Sequence, residues 1–108
     1  LQKGIDMDVE QFRVTLGEDV PPPGLDGCLL ALWHVAKGNW DIAHGYAQNA
    51  ATGEGSWVHG YIHRVEGNAG NARYWYDHAG REFRDPPPAD EWAVIAATLL
   101  ARPGADNT

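Results

Sequence analysis

The chain has 108 residues, enough for one domain with a modest core and too few for two independent ones. Eight basic residues stand against fifteen acidic ones, and a net charge of -7 repels phosphate backbones and anionic lipid, which argues against nucleic acid and membrane partners and favours a cationic peptide, an amine or a metal ion. No apolar run reaches bilayer length, no signal-peptide pattern opens the chain and the lone Cys28 cannot form an internal disulfide, so a cytoplasmic protein with one small core thiol is expected.

In chain order, residues 7–16 carry Val9, Phe12 and Leu16 at spacings of three and four, which predicts a short helix laying one face on the domain. Residues 17–24 form a linker, because consecutive prolines at 21–23 lack donors and restrict their predecessors. Residues 25–52 read as a first helical hairpin. Its first helix has Leu25, Leu29, Trp33 and Ala36 on one face and Cys28, Ala31 and Val35 on another, a pattern of burial from two sides. Gly38 closes that helix, and Asn39 opens a second with a slim stripe of Ala43, Tyr46, Ala47 and Ala50.

A second hairpin covers 53–80. Its first helix, from about Glu54 to Glu66, divides at 100° per residue into an apolar seam (Val58, Ile62, Val65), an amphipathic flank (Trp57, Tyr61, Arg64) and an opposite flank of His59, His63 and Glu66. Core packing explains the seam but not the flanks. In the following helix Ala72, Trp75, Tyr76 and Ala79 are expected inward, with Asn71, Tyr74 and His78 beside them. Residues 81–88 form a second proline-rich linker, and 89–102 a C-terminal helix with Asp90 and Glu91 in its first turn. Trp92, Ile95, Ala96 and Leu99 form its buried face, and it is expected to cap the stack; 103–108 should fray.

The hairpins repeat one another. His34 falls on His63, Gly38 on Gly67, Asn39 on Asn68, Ala43 on Ala72 and Ala50 on Ala79, each pair 29 positions apart. A helix, a Gly-Asn turn and a second helix recurring at such a period predict an all-α fold of about six helices: a short right-handed stack of antiparallel hairpins. In a stack, equivalent faces lie side by side, so His34 and His63 are expected on one shared surface about 8 to 10 Å apart.

His59 and His63, one turn apart, have the spacing by which a helix presents two imidazoles to a metal; Glu66 lies one turn further, and His34 or His44 could add a fourth group. The zinc-protease pattern fails, because Gly60 stands where its glutamate would follow the first histidine. A structural polar network is the competing reading of the same residues. Of the run Tyr74-Trp75-Tyr76, three consecutive helical residues cannot share a face, so only Tyr74 is expected free for a ligand.

The repeat unit resembles the helical hairpins of the Sel1-like and tetratricopeptide superfamily, most clearly at Asn71–Gly80, NARYWYDHAG, although its period of 29 is shorter than the tetratricopeptide's. Trp33–Gly80 also resembles a small family of bacterial and fungal proteins with a WH, AH, W-H-x-x-x-H-R-x-E-G and NA-x-YWY pattern, a likeness that covers just under half the chain. The first resemblance implies a scaffold for protein partners; the second implies a fold and no activity. The leading expectation is a non-enzymatic binding module without cofactor, with His34, Trp57, His59, Tyr61, His63, Glu66 and Tyr74 bordering a groove for a peptide or small polar ligand. The alternatives are a metal-dependent or acid-base enzyme of hydrolase type using His59, His63, Glu66 and His44 with a divalent transition metal, and an architectural homodimer.

Overall fold

The computed structural model describes residues 6–50 and 52–102. Among them every regular element is helical: α1 (Val9–Val14) running into a 3₁₀ turn at Thr15–Gly17, α2 (Gly27–Ala36), α3 (Trp40–Gln48), α4 (Gly53–Glu66), α5 (Ala69–His78) and α6 (Glu91–Leu100). The expected frayed tail at 103–108 lies outside the described residues. No helix among those described is long and apolar enough to cross a membrane.

The two Gly-Asn turns share their backbone course, though the Asn68 side chain accepts from the Asn71 amide and Asn39 makes no such cap. Gly38 (φ 85°) and Gly67 (φ 91°) both take the left-handed conformation, which costs a glycine nothing because it has no Cβ. The amide of Asn39 then donates to the His34 carbonyl, and that of Asn68 to the His63 carbonyl, each at 2.9 Å. The helix ends are thereby satisfied, and the chain reverses into α3 and α5 with matching N-cap dihedrals. Consecutive helices pair, α2 with α3 and α4 with α5, and α4 also lies against both α2 and α3.

Small residues set how closely the pairs approach. Ala43 and Ala72, at equivalent positions, are fully buried. At Gly60 of α4 a Cβ would stand 2.6 Å from Cδ1 of Tyr76 and 3.1 Å from the Ala72 carbonyl, so a glycine is required where α5 crosses. This packing explains the residue that breaks the zinc-protease pattern. The core is Phe12, Leu29, Leu32, Trp33, Val58, Ile62, Tyr76, Ile95 and Leu99 among others, and Cys28 is buried within it. Burial, with Asp26 adding, pushes the Cys28 thiol up to about 11, so it stays protonated at neutral pH.

Three expectations need correction. Val65, placed in the apolar seam, is half exposed, and Ala36 is exposed, each within two residues of the glycine that ends its helix. The N-terminal helix is α-helical only to Val14 and tightens into the 3₁₀ turn, where the Thr15 hydroxyl donates to the Phe12 carbonyl and accepts from the Trp33 indole at 3.1 Å. The last helix packs along α1 and α2, and Glu91 in its first turn reaches Arg64 of the second hairpin. Trp92 decides this: its ring stacks on Phe12 at 5.4 Å and its N–H donates to the Leu32 carbonyl at 2.9 Å.

That first turn carries a buried carboxylate. Glu91, 8% exposed, accepts a hydrogen bond from the Tyr76 hydroxyl, and its other oxygen lies 3.1 Å from Nε of Arg64. The Arg64 N–H does not point along that line, so the contact is an ion pair rather than a hydrogen bond. Arg64 also donates to the Arg84 carbonyl at 2.9 Å and lies over the Phe83 ring at 4.0 Å. Burial, reinforced by the Glu91 carboxylate, raises the Tyr76 phenol above its ordinary range. Together these groups tie α4, α5 and α6.

Candidate functional site

The imidazole flank of α4 faces α3. His59 and His63 are 6% and 7% exposed, His44 enters from α3 half-buried, and one ring nitrogen from each lies within 4.8 Å of the other two. The Nε2 atoms of His44 and His59 are 3.0 Å apart. At that separation either one nitrogen lends its proton to the other, or both lone pairs converge on a cation.

Each ring is held from outside the cluster. Nδ1 of His63 meets Glu66 Oε1, and since a carboxylate only accepts, Nδ1 carries a proton, which leaves Nε2 as the nitrogen free to ligate in the neutral ring. Trp40 stacks on His44 with centroids 4.8 Å apart and planes at 11°, and its own N–H is anchored on the Ile62 carbonyl at 2.9 Å. Trp75 stacks on His59 at 4.1 Å and 13°. His59 and His63 themselves stack at 5.0 Å. Aromatic walls thus fix two rings and a carboxylate fixes the third.

The electrostatics favour the neutral form of His59 and His44. Burial above all, then the His44 and His63 rings, lowers His59 to about 4; burial and His63 lower His44, against a weaker upward pull from Glu66 and Asp41. Neutral imidazole is the form that binds a metal, so protons compete weakly for the site. Tetrahedral coordination at about 2.0–2.1 Å puts ligand nitrogens about 3.3 Å apart, so the set needs to contract by about 1.5 Å at its widest gap. The three nitrogens therefore suit an imidazole-preferring ion such as zinc, copper or nickel.

Of the residues expected around one groove, His59, His63 and Glu66 come together and His44 joins them; the other four go elsewhere. The His34 ring touches Trp33 and Tyr46, the latter stacked at 5.7 Å, whereas His63 touches Trp40, His44 and His59, so the equivalent histidines share no ring neighbour. Burial lowers His34, and its Nδ1 is buried without a hydrogen-bond partner. Trp57 is buried beneath the Arg81 guanidinium, 3.7 Å from its ring centroid. Tyr61 turns toward α6, its phenol pushed up to about 12 by burial and then by Glu91 and Asp90. Tyr74 is exposed, as expected, but its neighbours are Trp75 and His78, whose Nε2 lies 3.3 Å from the Tyr74 hydroxyl.

Sequence reasoning did not single out Trp40, and it assigned Trp75 to the core. Trp40 precedes His44 by one helical turn and Trp75 lies on the helix paired with α4, but the pattern alone does not say which aromatic faces an imidazole. A hollow of about 410 Å³ beside Trp75 is lined by Ala50, Thr52, Gly53, Ser56, Trp75 and His78, and not by His59. Compared with known proteins, the chain matches no family model, no curated protein and no solved structure.

Proposed function

We propose that the chain is a transition-metal-binding domain: a short stack of two Sel1-like hairpins whose junction holds one divalent ion through His44, His59 and His63. The observation that carries this reading is the convergence of three ring nitrogens within 4.8 Å of one another, one of them backed by a carboxylate. A purely structural polar network explains it less well. Three neutral imidazoles can share at most a donor and an acceptor pairwise, whereas a cation uses every lone pair at once. The surrounding charge also suits a cation, given Glu66 at the site, Asp41 close by and a net charge of -7.

Protein stripped with a chelator and titrated with zinc near neutral pH is expected to bind one ion per chain. Glu66→Gln should weaken binding by about 10- to 100-fold through the loss of ring orientation, and His44→Ala by more. Helical circular dichroism of each variant separates lost ligation from lost folding. Unchanged zinc uptake by His44→Ala would end the proposal, because His44 is the only one of the three ligands that α3 supplies.

A further inference from the structure

We infer that the ion held by His44, His59 and His63 keeps a coordination position open to small anions, hydroxide among them, and closed to bulky ones. This rests on the metal reading proposed above and goes further by saying what the ion would do.

The position is open because nothing nearby fills it. Among the described residues no fourth histidine, cysteine or carboxylate joins the cluster. Glu66 is the closest carboxylate in the arrangement, and it is engaged on Nδ1 of His63. Nδ1 and Nε2 point away from each other, so an oxygen bonded to the first cannot reach an ion bonded to the second. Trp40 and Trp75 flank the rings, yet an indole offers only an N–H donor, and that of Trp40 is already spent on the Ile62 carbonyl. Three protein ligands with one vacant place is the arrangement in which zinc acts on an exogenous group, whereas structural sites are closed by four.

An anion is the ligand that this set selects. Three neutral imidazoles leave the ion its full double charge, which attracts an anion and acidifies a bound water. The size limit comes from the walls. His59 and His63 are more than nine-tenths buried, the Trp75 ring covers one face of His59, and His44 is only half-buried, so the His44 edge is the way in. With an indole stacked on each of His44 and His59, such an edge favours a ligand of two or three heavy atoms over an aryl group.

Cobalt(II) in place of zinc gives a visible spectrum that reports its ligands directly. Azide added to the cobalt-loaded protein is expected to shift the visible bands saturably, while diphenylacetate binds at least tenfold more weakly. Cobalt bound one per chain with bands indifferent to azide would overturn the open position and leave the metal site standing. An equal response to diphenylacetate would overturn the size limit, and failure to take up cobalt at all would remove both the inference and the reading beneath it.

Discussion

Replacing Glu91 by leucine alone is expected to cost about 3 kcal/mol of stability, the largest effect of any single polar change in the domain. The change leaves the Arg64 guanidinium, 14% exposed, without its counter-charge and the Tyr76 hydroxyl without its acceptor. The Tyr76 hydroxyl is buried and the Arg64 guanidinium largely so, and water replaces the lost partner only in part. Arg64 retains the Arg84 carbonyl and its seat over Phe83, so the loss falls at the low end of the range for breaking a buried pair. The triple change Arg64→Met, Glu91→Leu, Tyr76→Phe should recover most of it, because removing every polar member leaves none unsatisfied. Urea unfolding of the two variants checks this; a cost below about 1 kcal/mol for the single change would show the network to be dispensable. The link to the site is direct, since Arg64 follows His63 on α4 and the network fixes the rotation that turns the imidazoles toward α3.

Acid is expected to weaken the metal-free domain between about pH 6.5 and pH 4, for a reason that lies in His59. Unfolded, that ring takes a proton at the ordinary histidine value; folded, burial defers protonation to about 4. Within the window the unfolded chain binds more protons, so stability falls as pH falls, then flattens once the folded ring is protonated as well. His44, lowered in the same direction, adds to the fall. Allowing for the water that reaches the half-exposed His44 beside it, the loss should amount to about 2 kcal/mol. Zinc at a hundredfold excess over its dissociation constant should add about 2.7 kcal/mol near neutral pH, and acidification should remove that too by protonating the ligands. Urea midpoints measured with and without zinc across the window test both statements. A metal-free midpoint that stays level across the window would mean that the three imidazoles are not enclosed together.

What the sequence makes legible follows from which signals are local. Helices are written in spacings of three and four and in the residues that end them, so the all-helical class and the reversals at Gly38 and Gly67 can be read directly. The burial of Trp92, Ile95, Ala96 and Leu99 can be read in the same way. The pairing of His59 with His63 is local too, because one turn of one helix contains both. What cannot be read is which helix supplies the third imidazole. The 29-residue echo points to His34, the equivalent of His63, while the metal alternative takes His44; α4 turns its imidazole flank toward α3, and the ring that arrives is His44. The first copy also has Lys37 where the second has Glu66, so His34 has no carboxylate at the matching place and rests on Tyr46 instead. Trp57 and Tyr61 depart from the expected groove because the segment after α5 and the first turn of α6 cover that side of α4, a long-range contact with no signature in the pattern.

The most direct test is X-ray absorption at the zinc edge of the loaded protein. The account predicts three imidazole nitrogens at about 2.0–2.1 Å and one further light donor from solvent or anion. A shell made mainly of oxygen, with one imidazole or none, would contradict it.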